Sequence, residues 1–313
     1  MNNSTQVIDS SQNRWWIYQR ERFPIVPHGL LIFVFSLAAV GYGHAISGQA
    51  GGPSVGAVLV SFIGSFITFA LLRIADEFKD YDDDARYRPY RAVPRGLVQL
   101  SELAMIGVPL AALQLAIALS FSVKLAMLLL AIWVYFLLMS KEFFVPEWLK
   151  ARPIVYLISH MLIMPLIALY ASAPGWIGGE EIPGSLPAFL ILTFLIGMIS
   201  EIGRKIRAPA DEETGVETYS LLWGRGPALA LWLILLLAAG VWEFLAVSNI
   251  GSFRLLAIGL PLLFAIALVY ARRLMIAPQA RDSRAVEHIS GIWTLVIYCG
   301  LASISLGSDL PWS

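Results

Sequence analysis

Nine separate stretches of this 313-residue chain are apolar for long enough to cross, or nearly cross, a lipid bilayer, and that leaves few folds open. They lie at about 26–46, 55–75, 97–121, 125–140, 154–173, 186–202, 227–247, 253–271 and 289–305. Mean hydropathy is +0.72 and only 14% of residues are charged, against about 25% in an ordinary soluble domain. Inside hydrocarbon each backbone N–H and C=O must find its partner within the protein, so runs of this length are expected to be helices. The predicted fold class is therefore all-α: a polytopic membrane protein with nine transmembrane helices in a single bundle. Residues 26–313 form this domain. Residues 1–25 read as a disordered tail followed by an interfacial segment, RWWIYQRER, in which Trp15, Trp16 and Tyr18 alternate with arginines.

The basic residues support the same count. If the N-terminus is cytoplasmic, 20 of the 22 lysines and arginines fall in cytoplasmic segments, leaving Lys124 and Arg254 on the other side. A missed span would scramble that partition. The expected topology is N-terminus inside and C-terminus outside, in the cytoplasmic (inner) membrane. Formal net charge is zero, which gives no electrostatic case for nucleic acid as a partner. The one cysteine, Cys299, permits no internal disulfide or zinc framework. The polar, aromatic first 26 residues hold no leader-like apolar core, so no cleaved signal peptide is expected.

Against this background, RIADEFKDYDDDARYRPYRAVPRG (73–96) stands out, because half of its residues are charged. It follows directly on the second apolar run. Asp76, Asp80 and Asp84 stand at i, i+4 and i+8, which on a continued helix stacks three carboxylates on one stripe. Like charges at that spacing repel, whereas a divalent cation would reverse the sign. Mg²⁺ usually takes one or two carboxylates, several waters and phosphate oxygens. Glu77 and Asp83 are close enough in sequence to contribute. Downstream, Arg86, Arg88, Arg91 and Arg95 offer guanidinium groups suited to phosphate, on a loop that Pro89 and Pro94 keep from being helical. The plainer alternative is a solvated loop whose acids and bases neutralise one another.

These residues resemble the UbiA superfamily of intramembrane prenyltransferases. That family's first signature, N-D-x-x-D-x-x-x-D followed by R-P-x-P-x-G, is similar to D-E-F-K-D-Y-D-D-D at 76–84 and R-A-V-P-R-G at 91–96. Asp76 replaces the family's Asn and Glu77 its first Asp; both keep oxygen ligands. The second signature, D-x-x-D-x-x-x-D-x-x-x-G-h-x-T, is matched in its latter half by Asp211, Gly215, Val216 and Thr218. Its first two aspartates are replaced by Arg204 and Arg207, with Lys205 between them and Glu201 one turn earlier.

The resemblance implies a nine-helix fold, an isoprenoid diphosphate donor whose head lies at a cytoplasmic charged cap, and a lipophilic acceptor within membrane lipid. It also implies Mg²⁺ on Asp76, Glu77, Asp80, Asp84 and Asp211, with Asp76, Asp80, Asp84 and Asp211 as the catalytic carboxylates. Arg88, Arg91, Arg95, Glu201, Arg204, Lys205 and Arg207 would contact substrate, as would Lys141, Lys150 or Arg152 from the link after the fourth span. The altered second motif suggests that direct cation–phosphate contacts replace one metal. Arg204, Lys205 and Arg207 also read as simple membrane-face anchors.

The remaining features are expected to be minor. His160, within the fifth span, reads as a helix–helix hydrogen bond or as a base for an acceptor hydroxyl. Glu212, Glu213 and Glu217 read as a solvated helical face after a helix start at Pro209 and Asp211. Glu243 is a buried acid in the seventh span, and 272–288 reads as a basic loop. Prenyl transfer to an aromatic or other acceptor is the leading expectation. Cyclisation, transfer of another diphosphate-activated group, and non-catalytic lipid binding or transport on the same fold are its rivals.

Overall fold

The structure, a computed structural model, describes residues 13–49, 51–179, 181–247 and 254–305. The tail expected to be disordered lies mostly outside these residues. Every apolar run folds as helix, and there is no strand among the described residues. A short helix, α1 (Arg14–Arg22), precedes the first two spans, α2 (Ile25–Ile46) and α3 (Val55–Lys79). Next come a short α4 (Tyr81–Tyr87) and the spans α5 (Leu100–Phe121) and α6 (Val123–Ser140). The small α7 (Pro146–Lys150) leads into α8 (Pro153–Met161) and α9 (Ile163–Trp176), which together make the fifth span. The sixth is α10 (Leu186–Arg204), followed by a single turn, α11 (Tyr219–Leu222). Then come α12 (Arg225–Val247), α13 (Arg254–Ile276) and α14 (Ala280–Ser305). Among the described residues nine helical segments are long and apolar enough to cross a membrane, as the sequence predicts.

Local chemistry sets the ends. The Ser54 hydroxyl accepts from Ala57 N–H to start α3, and a reciprocal Gln99–Glu102 capping box starts α5. Ser122 alone separates α5 from α6, and its hydroxyl caps the second of the pair. Proline in the first turn opens α7, α8 and α10. First and last spans meet: α2 packs against α14 as well as α3 and α9, while α10 contacts α9, α12 and α14. Without a hydrophobic drive between helices in lipid, close backbone approach does the work. Gly43 lies against the Ser172 carbonyl, and a Cβ on Gly175 would strike the Val40 carbonyl, so α2 and α9 cross at glycine on both sides. Polar glue is also present: buried Gln114 on α5 donates to the Gly64 carbonyl (2.8 Å) and Thr68 Oγ1 (2.7 Å) on α3, and accepts from Trp133 Nε1 on α6.

The second span continues as helix to Lys79, so Asp76 and Glu77 lie on the continued helix that their spacing supposes. Two expectations change. The last helix begins at Ala280, so much of the supposed basic loop is helical; Asp282 is buried there and paired with Arg273 on α13 (3.2 Å). The acids after Pro209 do not form a helical face. Residues 209–211 make one tight turn, and Thr218 donates to Glu212 while capping α11.

Candidate active site

Charge gathers at one end of the bundle, where α3, α6 and α10 terminate and α8 begins. The stripe expected of Asp76, Asp80 and Asp84 is bent. Helix α3 stops at Lys79, and Asp80 (φ −93°, ψ 5°) joins it to α4, although i→i+4 bonds run through the junction from Asp80 N–H to Asp76 O and from Asp84 N–H to Asp80 O. The bend divides the carboxylates. Asp84 turns inward, 1% exposed, against Arg88 Nη2 (2.6 Å) and Arg91 Nη1 (2.7 Å), with Arg22 Nη2 at 4.0 Å. Glu77, also buried, accepts from Arg22 Nε on α1. Asp76 remains half exposed beside Arg73 on its own helix. Burial, and then the neighbouring Asp76 charge, push the Asp80 carboxyl above the ordinary aspartate range.

The second charged region folds over the first. Gly215, with φ +77°, lies directly on the Tyr87 ring where no side chain would fit, and Tyr90 Oη donates to Glu213 Oε2 (2.9 Å). At the end of α10, Glu201 accepts from Arg204 Nε (2.7 Å) and pairs with Lys205 Nζ (3.1 Å). Arg204 is within electrostatic reach of Asp76. Tyr219 is buried beside them, with Lys205 over its ring at 5.5 Å; burial, then Glu201, raise its hydroxyl pKa.

A third group closes the side, and of its members only His160 stands out in the sequence. Lys79 Nζ reaches Glu142 Oε1 (3.1 Å), Tyr156 Oη (2.9 Å) and His160 Nε2 (3.4 Å). Tyr156 and His160 stack at 3.9 Å, and His160 Nδ1 bonds its own helix at the Tyr156 carbonyl. The helix-bridging reading of His160 is the one its contacts match. Glu142 arrives on a turn in which Glu142, Phe143 and Phe144 all have positive φ (47°, 53°, 61°), a strained conformation for non-glycine residues. Asp80 lies within electrostatic reach of Tyr156, and Glu201 of His160.

Of the residues singled out from sequence, Asp76, Asp80, Glu201, Arg204 and Lys205 converge here. Others stand apart. Arg88 and Arg91 are engaged by Asp84, Arg95 by Glu21 and the Tyr90 carbonyl, and Arg207 by Glu287 of α14 (3.5 Å). Arg152 lies over Trp148, and Lys141 and Lys150 are exposed. Asp211 has one buried oxygen with no partner. Arg207 and Arg225 line a polar cavity of about 390 Å³ with Glu212 and Ser220.

The sequence profile of the UbiA prenyltransferase family matches residues 30–295. The chain belongs to that family. Solved structures with the same fold include a digeranylgeranylglyceryl phosphate synthase in membranes, 15% identical, with TM-score 0.58 over 89% of this chain and 99% of that one. A UbiA homologue from Aeropyrum pernix K1 is 14% identical, with TM-score 0.62 over 83% and 96%. A UbiA homologue from Archaeoglobus fulgidus bound to DMAPP and Mg²⁺ is 16% identical, with TM-score 0.53 over 91% and 98%. No curated protein matches the chain. This UbiA-family protein thus shares the fold of these solved structures.

Among the described residues no three His, Cys, Asp or Glu side chains converge as a ready metal cage. A two-carboxylate set nevertheless fits a magnesium ion that draws its other ligands from water and phosphate. Burial, and then repulsion from Asp76, disfavour the charged form of the Asp80 carboxyl, and a bound cation would offset both.

Proposed function

We propose that this protein transfers a prenyl group from an isoprenoid diphosphate to a lipophilic acceptor dissolved in the membrane. One observation carries the reading: the acids Asp76 and Asp80 share the end of the bundle with the Glu201–Arg204–Lys205 cluster, with Arg204 in electrostatic reach of Asp76, so that groups suited to a cation and groups suited to phosphate would serve one substrate head. Membership of the prenyltransferase family supports it, as does the Archaeoglobus homologue's complex with DMAPP and Mg²⁺. Asp76 and Asp80 would hold the cation. When bound, it would neutralise charge on the departing diphosphate as the carbon–oxygen bond breaks.

The chain's own groups divide the remaining work. Arg204 and Lys205 would turn from Glu201 to the diphosphate oxygens, doing from the protein side what a second metal would otherwise do. Lys79 is held in place by Glu142 and Tyr156, one turn from Asp76, and adds positive charge at the same mouth. Glu77 and Asp84, already neutralised by arginines, hold α1, α3 and α4 in register rather than binding metal. The test is to incubate purified protein with dimethylallyl, geranyl, farnesyl and geranylgeranyl diphosphates and Mg²⁺, with and without lipophilic acceptors. Acceptor-dependent diphosphate release is expected. Binding without release would favour the lipid-binding reading, and release of a hydrocarbon without acceptor would indicate a cyclase.

A further inference from the structure

A second site lies far from this mouth. Glu243 sits eighteen residues beyond Arg225 on α12, about 27 Å along the axis at 1.5 Å per residue, and is 1% exposed. Both its carboxylate oxygens are buried without a hydrogen-bond partner. A carboxyl in the apolar part of a membrane bundle is costly to keep and marks function by default. Next to it is a cavity of about 390 Å³ between α12, α13 and α14, at the small end of the roughly 300–1,000 Å³ typical of ligand sites. Its walls are Leu, Val, Phe, Ala, Gly and Pro except at two points: Glu243, and Trp293 of α14, whose indole N–H is likewise buried and unpartnered. In addition, Pro261 on α13 cannot offer the N–H that the Ala257 carbonyl would otherwise accept, and both residues line the cavity. The cavity opens between side chains more than half exposed on the bundle's outside, including Leu237 (55%) and Val241 (53%).

We propose that this cavity binds a membrane-dissolved alcohol, with its hydroxyl donating to Glu243 and accepting from Trp293 Nε1 and its hydrocarbon body against the apolar walls. A pure hydrocarbon would leave both polar groups orphaned. A carboxylate or phosphate ligand would bring its charge into an apolar cavity whose lining holds no lysine or arginine to pair it. A hydroxyl both donates and accepts, and so answers an orphan acceptor and an orphan donor at once. The site is separate from the diphosphate mouth and does not depend on the chemistry proposed there.

The experiment uses the full chain in phosphatidylcholine nanodiscs and a C15 isoprenoid alcohol carrying a diazirine at the end distal to its hydroxyl. After photolysis, adducts are expected in peptides spanning 237–244, 256–264 or 293. Unlabelled alcohol should compete at least about five-fold better than the matching hydrocarbon, the discrimination of roughly one hydrogen bond. The double variant Glu243→Leu with Trp293→Phe should lose this preference yet melt no lower than wild type without ligand, because it removes buried orphans. Equal competition by the hydrocarbon, unchanged discrimination in the double variant, or no adducts in these peptides would each overturn the proposal. If the double variant fails to fold, Ala257→Trp at the exposed cavity wall must abolish labelling by obstruction, and persistence there overturns the proposal as well. Diphosphate binding at the opposite end, measured on the same samples, reads out the proposed enzymatic site independently.

Discussion

Glu142 Oε1 stands 3.1 Å from Lys79 Nζ, and it gets there on three consecutive left-handed residues. Left-handed backbone costs an L-residue roughly 1–2 kcal/mol, so the contact is bought against local preference. Phe144 is exposed at the end of that turn, and Phe144→Gly should keep the fold and raise stability by about 0.5–1 kcal/mol in a detergent melt. Glu142→Ala should cost about 1.5–3 kcal/mol, the value of a hydrogen bond to a charged group, and should lower diphosphate affinity by freeing Lys79 from its position. A Glu142→Ala protein with wild-type stability and affinity would remove the turn from the site.

The four acids of the first motif should separate into two phenotypes. Asp76→Ala and Asp80→Ala should abolish Mg²⁺-dependent diphosphate release with little change in melting temperature. Asp84→Asn and Glu77→Gln should lower the melting temperature, since each leaves arginine side chains buried without their counter-charge. Full turnover by Asp80→Ala would sink the metal assignment.

Arg22 links the interfacial helix to Glu77. Removing it alone, as Arg22→Ala, strands a buried carboxylate and should cost about 3–5 kcal/mol. Replacing both partners by methionine should recover most of that. Urea or thermal unfolding of the two proteins in matched detergent decides the point, and equal destabilisation of both would contradict it.

Acidity bears on Asp80 with a definite sign. Because its carboxyl titrates above the ordinary aspartate range, the folded state holds more protons than the unfolded chain across that window. Stability should therefore be greatest at the acidic end and fall as pH rises through the folded value. Melts in EDTA should show this decline, Mg²⁺ should cancel it, and Asp80→Asn should lack it. A wild-type decline identical to that of Asp80→Asn would assign the effect elsewhere.

Hydropathy alone made the nine spans legible, because a membrane helix is defined by length and composition. Its ends were less so. Residues 280–288 look like loop because they are charged, yet Asp282 is buried by pairing with Arg273 across the α13–α14 turn, a partnership that no local window displays. The same limit governs the site. The four-residue spacing of the acids located it, but which acids face outward depends on a bend at Asp80 and on arginines from α1 and from the loop after α4. Lys79 lies between Asp76 and Asp80, where it reads as one more charge in the run. Its partner Glu142 depends on a left-handed turn that contains no Gly, Asn or Asp to announce it.

The single-residue turn at Ser122 bears on how the chain is made. With one non-helical residue between α5 and α6, almost no polar loop separates the two spans apart from the exposed Lys124. The two helices are thus suited to enter the membrane together as a preformed hairpin, with the Gln114 bonds to α3 and Trp133 available to hold the pair once it is in. The order of assembly at this edge of the bundle would then be set during synthesis rather than by later rearrangement.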